Sequence, residues 1–413
     1  MAMRFRRPFR RTDIARSAVA LCFVAGAYFA AVSALTAASR DASPDAALRL
    51  SPNDSSALAN KALTVTLNGI NAKNVAAVER IAQRSLKGDP INPRPYFVML
   101  AVREVQHRPK DVQRLSDLSL KLSPRETALQ LWHVERSVAN DDIAGALRHY
   151  DYVLRIHPEL NSLLFERLVD ALTEAPIRRE LIPYVKARTP WVGDMLRFAL
   201  TNKGDPIAMT ALVNESGGLA NFSDSATLGR LLLESLAGAG YVERARDFYL
   251  RTPKASPSLL QNPGLTDASV SGLTPIAWEL RTDQEVFASF DKNESTGKPR
   301  IVVQAPSERS AVVARKLLFL RPGTYTIAMR IAPVDPASPG DVTVNPQVYC
   351  YAGQGEKQAL GANNLVTPIA SGKHGLVVGA ACSAQVLELK ATSGANQNAG
   401  PVTIEDIVLT RAG

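Results

Sequence analysis

Histidine and cysteine are scarce in this chain of 413 residues, and aromatic residues make up only 6% of it. Each scarcity excludes something. The five histidines, His107, His133, His149, His157 and His374, form no His-x-x-x-His ligand pair. No Gly-rich phosphate loop, Gly-x-Ser-x-Gly elbow or metalloprotease motif occurs. Glu279, Asp283, Glu285 and Asp291 offer carboxylates for glycoside hydrolysis, but they lie in polar sequence where spacing identifies no pair. No enzyme and no cofactor are therefore expected. A nucleic-acid partner is not expected either, because basic residues are not interleaved with aromatics on any one face.

Of three cysteines, Cys22 lies in an apolar run and only Cys350 and Cys382 remain, 32 residues apart. They suit one disulfide in an oxidising compartment, or two buried thiols. Without a CxxC or nearby histidines they make a poor zinc site.

Charge is unevenly placed. The net +9 includes Arg4, Arg6, Arg7, Arg10, Arg11 and Arg16 against Asp13 alone, whereas residues 261–413 are balanced. Behind the arginines, residues 17–39 carry no charge and end at Arg40. That length spans a hydrocarbon core of ~30 Å as a helix. The positive-inside rule then puts the basic tail 1–16 in the cytoplasm and the bulk of the chain across a bacterial inner membrane, in the periplasm. A cleaved signal peptide is the alternative, with Val32-Ser33-Ala34 or Thr36-Ala37-Ala38 as the site, giving a secreted or periplasmic protein.

Residues 45–255 read as helix. Apolar positions recur at three and four in Val75, Val78, Ile81, Ala82 and Leu86, in Leu115, Leu118 and Leu122, and in Ile143, Ala146, Leu147, Tyr150, Val153 and Leu154. Asp141 or Asp142 caps the last of these, and Pro158 closes it. Pro90, Pro124 and Pro158 stand 34 residues apart, with Pro52 a further 38 upstream. A fixed period of this length marks stacked helical hairpins. The pattern resembles tetratricopeptide repeats: Ala146 and Tyr150 followed by Pro158 match that family's small-plus-aromatic pair and closing proline, and Ala245 and Tyr249 repeat the pair. The family's tryptophan and glycine of the first helix are not clear here, and the period blurs after Pro158. The resemblance implies a protein partner on a concave face. The bland alternative is a spacer. Trp132, His133 and Trp191 are candidates for an exposed contact surface, although tryptophan at helical spacing is usually core.

Composition changes near Ser256-Pro257. In residues 258–413 alternation replaces the helical period, in Ile301–Gln304, Lys316–Leu320, Tyr325–Ile331, Gln347–Tyr351, Leu376–Val378, Gln385–Leu389 and Val402–Leu409. Turn signals at Arg321–Thr324, Ser338–Asp341 and Ser371–Lys373 separate them, and the whole predicts an antiparallel β-sandwich.

Three phrases resemble jelly-roll carbohydrate-binding modules of the galactose-binding-like kind: Asn262-Pro263-Gly264-Leu265-Thr266 followed by Trp278, Leu320-Arg321-Pro322-Gly323-Thr324-Tyr325, and Ile404-Glu405-Asp406-Ile407-Val408-Leu409. The resemblance implies glycan binding. In that family acidic residues near the two ends often hold a structural calcium. Here Thr266 replaces the acidic residue of the opening phrase, so Asp267 and Asp406 are left as weak candidates.

Alternation in the strand Gln347–Tyr351 puts Val348 and Cys350 on one face, and Gln347, Tyr349 and Tyr351 on the other. If the first pair points inward, Cys350 meets Cys382 inside the sandwich. Tyr349 and Tyr351 then form an outward aromatic pair beside Gln347, the combination that sugar recognition uses. The plainer reading is a pair packed under a loop or on a sheet surface. Trp278 is expected in the core.

The expected architecture is thus a multidomain α + β chain: basic tail 1–16, transmembrane anchor or signal 17–39, tetratricopeptide-like solenoid 45–255 and jelly-roll sandwich 258–413. The expected function is a membrane-anchored adaptor, with a protein on the repeats and a glycan or protein on the sandwich, in exopolysaccharide or envelope assembly. A structural interaction module without sugar binding, and a degenerate glycan-processing enzyme, are the alternatives.

Overall fold

The computed structural model describes residues 29–202, 204–253, 255–281, 286–335, 341–353, 357–370, 372–395 and 400–412. The chain divides into two compact units, one through Pro158 and one from Glu159 onward.

The first unit is helical. After α1 (29–39) come α2 (Pro44–Leu50), α3 (Ser55–Leu67), α4 (Val75–Gly88), α5 (Pro93–Val105), α6 (Pro109–Leu122), α7 (Thr127–Ala139) and α8 (Ile143–Ile156). The spaced prolines set the helix ends. Ser51, Asp89, Ser123 and His157 each precede a proline, and each has left the helical region, with ψ of 91°, 87°, 107° and 70°. Steric conflict with the proline ring drives that residue out of the helical region, so the helix before it stops.

Two residues after the proline, the next helix receives its cap. The Asp54 carboxylate accepts from Ala57 N–H and the Asn92 side chain accepts from Arg94 N–H. Glu126 holds the same place ahead of α7 without a capping bond, and its carboxylate lies 3.7 Å from Arg94. Hairpins are fastened in a repeating way too. Ser85 donates to Ser55 C=O (2.7 Å), and Ser119, 34 residues on, donates to Pro93 C=O (3.3 Å); both acceptors are first residues of α3 and α5. Small buried residues such as Ala62, Ala82 and Ser116 let neighbouring helices close on Val98, Phe97 and Leu100.

Among the described residues no helix is long and apolar enough to cross a membrane. This corrects the expectation of a single-pass inner-membrane protein. Residues 17–28 of the expected span, and the tail 1–16, lie outside the described residues.

The second unit holds helices and sandwich together. Helices α9 (Asn161–Ala171), α10 (Ala175–Lys186), α11 (Pro190–Thr201), α12 (Pro206–Glu215), α13 (Ser225–Gly238) and α14 (Val242–Leu250) precede a one-turn helix, α15 (Asp267–Ser271). Ala245 and Tyr249 are both buried in α14. Trp191 is buried at 3% exposure, packed against Tyr184, which corrects its place among exposed contact candidates.

Eleven strands are described: β1 (Glu279–Leu280), β2 (Phe287–Lys292), β3 (Pro299–Gln304), β4 (Ser310–Leu318), β5 (Gly323–Pro333), β6 (Val342–Ala352), β7 (Ala359–Leu360), β8 (Val366–Ala370), β9 (Lys373–Val378), β10 (Ala384–Ser393) and β11 (Val402–Arg411). Sheet A runs β1-β4-β10-β6-β7 and sheet B runs β2-β3-β11-β5-β9-β8, with antiparallel pairing throughout. One apolar core joins them, with Val348, Leu387 and Leu389 from sheet A meeting Ile301, Ile327 and Ile404 from sheet B. Trp278 is buried in this core and its indole N–H donates to Pro263 C=O (2.8 Å), which ties down the opening phrase.

The helices of this unit lean on sheet A. Gln358 N–H donates to Gly240 C=O (2.7 Å), and Phe319 N–H to Leu260 C=O (2.6 Å). Gly240 has φ +85°, and a Cβ there would collide with the Gln358 carbonyl oxygen, so only glycine permits this approach.

Candidate ligand-binding surfaces

Register fixes which side chains share the outer face of sheet A. Glu279 pairs with Arg315, Arg315 with Glu388, and Glu388 with Gln347. Directly opposed residues point the same way, so these four form a polar row across β1, β4, β10 and β6. The Arg315 guanidinium donates to the Glu279 carboxylate (2.6 Å), which holds both side chains in place. Tyr349 lies one row above, half-buried, and its hydroxyl donates to the Gln347 amide oxygen (3.2 Å). Below the row, Asn345 and Lys390 face out side by side, then Thr343 and Thr392. Alternation therefore places amides, two charges of each sign and the Tyr349 ring on a single face.

The three residues singled out from the sequence divide. Gln347 and Tyr349 are brought together on this face. Tyr351 shares the face, but its hydroxyl donates to Ala237 C=O at the end of α13 (3.2 Å), and burial pushes its pKa up. It packs under the helical part of the unit. On the inner face Val348 is buried and Cys350 packs on the core, and Cys350 and Cys382 are joined as a disulfide with Cα atoms 5.5 Å apart.

Sequence reasoning missed Lys316. It opposes Leu387, which opposes Val348, so it points into the core, where it is fully buried. Its ammonium donates to Ile276 C=O, and burial pushes its pKa down to about 7. No signal in Lys316–Leu320, a run that is apolar on both sides of the strand, marks the lysine as the inward residue.

Asp267 and Asp406, far apart in sequence, line one cavity of about 760 Å³. Its origin is a β-bulge. β11 pairs with β3 only from Val402 to Ile404, and its register with β5 slips between Ile404 and Asp406. Past Glu405 the two strands separate, leaving Pro299 and Arg300 bonded to β2 alone. The gap is walled by residues 258–267 and by the turn 296–299. The donor set does not fit calcium, which wants six to eight oxygens. The Asp267 carboxylate lies 3.3 Å from Lys292 Nζ, that of Glu405 is 2.9 Å from Arg330, and no group of three acidic, His or Cys residues suited to a metal occurs among the described residues.

In the first unit His133 stacks on His149, with ring centroids 4.5 Å apart and planes within 10°. His133 Nε2 is 3.0 Å from the Ser116 hydroxyl, and His149 Nδ1 is 2.5 Å from the Gln130 amide oxygen. Burial lowers both, His149 to about 4, with His133 and Arg148 acting in the same direction and Asp142 against it. Trp132 is half-buried, packed on the core of Phe97, Leu100 and Leu129; its indole N–H donates to Glu104 (3.1 Å) and Arg136 lies over its ring (5.2 Å).

No family model matches the chain, and no curated protein matches it in sequence. Solved structures that resemble part of it include the following two. One holds the CBM22-1–GH10 modules of endo-1,4-β-D-xylanase 10B from Clostridium thermocellum with xylohexaose: identity is 16% over 33% of this chain and 26% of that one, with a TM-score of 0.22. The chain thus spans about a quarter of that structure's length. The other is the carbohydrate-binding module TmCBM27, described for mannan recognition: identity is 12% over 33% of this chain and 89% of that one, with a TM-score of 0.19. Scores of this size carry no argument about ligand or mechanism, which must come from the side chains themselves.

Proposed function

We propose that this protein is a non-catalytic binding protein whose sandwich holds a segment of polysaccharide on the outer face of sheet A. The observation that carries the reading is the polar row Glu279–Arg315–Glu388–Gln347 with Tyr349 beside it. A sugar hydroxyl both donates and accepts, so it suits a surface where carboxylates, an amide and a guanidinium alternate. A half-exposed ring suits the C–H face of a pyranose. Tyr351 takes a structural part in this reading, since its hydroxyl already serves Ala237. The helices of the first unit, read as tetratricopeptide-like hairpins, hold a protein partner. Trp132 with Arg136 and Glu104 is the anchor proposed there, because Trp and Arg are enriched in binding hot spots and the free edge of this half-buried ring is held by both.

Affinity electrophoresis of the full chain in gels cast with neutral polysaccharides tests the sandwich. Retardation is expected, with Tyr349→Ala and Gln347→Ala each weakening it by about tenfold, the loss of ~1.4 kcal/mol. Retardation of both variants equal to that of the parent, or none for the parent at millimolar sugar, would overturn the reading in favour of a purely structural interaction module.

A further inference from the structure

The cavity beside the Glu405 bulge lies in sheet B, opposite the sheet that carries Tyr349, and the function proposed above makes no use of it. The geometry points to a second saccharide site there, one that takes a neutral, hydroxyl-rich chain independently of the sheet A face.

The cavity is preformed. The Trp278 indole pins Pro263, the Thr266 and Ser269 side chains close a capping box, and the Asn262 side chain accepts from Gly264 N–H (2.8 Å). On the opposite wall the Asn293 side chain accepts from both Ser295 and Thr296 N–H (3.0 and 3.1 Å). Both walls are therefore fixed by their own hydrogen bonds before anything binds. The volume of about 760 Å³ falls in the range of small-molecule sites.

Charge selects the ligand class. Three carboxylates, Asp267, Glu405 and Asp406, line the cavity with Lys298, and Lys292 and Arg330 reach two of them from outside. Three negative charges thus meet three positive ones. A phosphate would gain no net attraction, and neither would a polyamine. What remains is hydrogen-bonding capacity of both kinds: the Gln261 amide, the Ser258 and Thr296 hydroxyls, and the Asp406 and Lys298 side chains. Leu265, Pro299, Ile407, Val408 and Leu409 supply the apolar part of the lining, against which the C–H face of a sugar ring can rest. Gly297 leaves the rim open, since a Cβ there would meet nothing within 4 Å.

Two sites on opposite sheets let one sandwich grip two polysaccharide chains, or two stretches of one chain, and the second contact then forms at high effective concentration.

Calorimetric titration of the full chain with neutral hexasaccharides of β-1,4-linked glucose, mannose and xylose tests the assignment. Two equivalents are expected for the parent. Asp406→Ala removes an acceptor, and Gly297→Asn places a side chain at the rim in a φ of +66° that asparagine tolerates. Each is expected to leave one equivalent with an unchanged melting temperature, as is Tyr349→Ala, and the combination of Tyr349→Ala with Gly297→Asn none. A single equivalent lost to Tyr349→Ala and untouched by the other two would overturn the second site and leave the proposed function standing. One lost only to Asp406→Ala and Gly297→Asn would support the cavity and overturn the sheet A reading. Tighter binding of hexagalacturonate or of a glucosamine hexamer than of neutral sugars in the Tyr349→Ala variant would overturn the ligand class. No binding at millimolar sugar would overturn both.

Discussion

Before Pro158 each helical hairpin packs on another of similar make. After it, helices α13 and α14 pack on the outer face of a β-sheet, with Tyr351 bonded to Ala237 and Gln358 to Gly240. The two stretches share an alanine- and leucine-rich composition, yet the 34-residue beat holds in the first and fades in the second. A repeat that buries itself against its own copy must keep its length, since each cap and each serine fastening has to recur in register. A helix that buries itself on a sheet answers to the spacing of strands, and the period has no physical reason to persist.

The largest expected effect separates the two units by pH. The folded pKa of Lys316 is pushed down to about 7 from 10.5. Between these values the unfolded chain holds a proton that the folded one does not, so stability of the second unit rises with pH across that window. It is fully present above about 10.5, is lost as pH falls through about 7, and changes no further below. The span is on the order of a few kcal/mol. Denaturant unfolding at pH 7 and 9.5 measures it, and an undiminished slope in a Lys316→Met variant would rule out the lysine as its cause.

Next, Gly240→Ala is expected to cost the second unit about 2–3 kcal/mol, from strain at φ +85° and the clash with Gln358. The first unit is expected to keep its hydrogen-exchange protection. Equal loss in both units would break the comparison. At lower pH the first unit is the one affected, with the same sign. His149 is neutral in the fold, so its contribution is complete above about pH 6.5 and is lost as pH falls toward about 4. About 1–2 kcal/mol is expected after allowance for partial exposure, read as helix loss in the first unit and flattened by His149→Gln. Smallest, Ser85→Ala and Ser119→Ala are each expected to cost about 1 kcal/mol, in similar measure, because they break equivalent bonds. Clearly unequal values in thermal melts would argue against equivalent hairpins.

Much of the fold was legible in the sequence wherever a pattern has one physical cause. The prolines mark helix ends because they act on the residue before them, and of the two cap candidates Asp141 and Asp142 it is Asp142 that caps α8, accepting from Gly145 N–H. Strands β3, β5, β6, β9, β10 and β11 each contain a run recognised by alternation. β2, with Phe287 exposed and Asp291 and Lys292 at its end, carries little alternation as an edge strand and was not legible. Gln347 and Tyr349 fall on one face because strand period decides it. That Tyr351 lies beneath a helix depends on a contact more than 100 residues away, which no local pattern encodes. The cavity depends on a one-residue slip at Glu405, and a bulge leaves no mark in a run as regular as Ile404–Leu409.

Strand order in sheet B bears on how the chain is made. β11 is a central strand, flanked by β3 and β5, although both neighbours precede it by dozens of residues. Residues 159–401 must emerge between the end of the helical unit and the arrival of Val402, an interval of roughly 10–50 s at ~5–20 residues per second. During that time the first unit is free to fold on the ribosome, while β3 and β5 wait with open edges toward a strand not yet synthesised. Stalled nascent chains ending before residue 402 are expected to be protease-resistant through about Pro158 and digested beyond it.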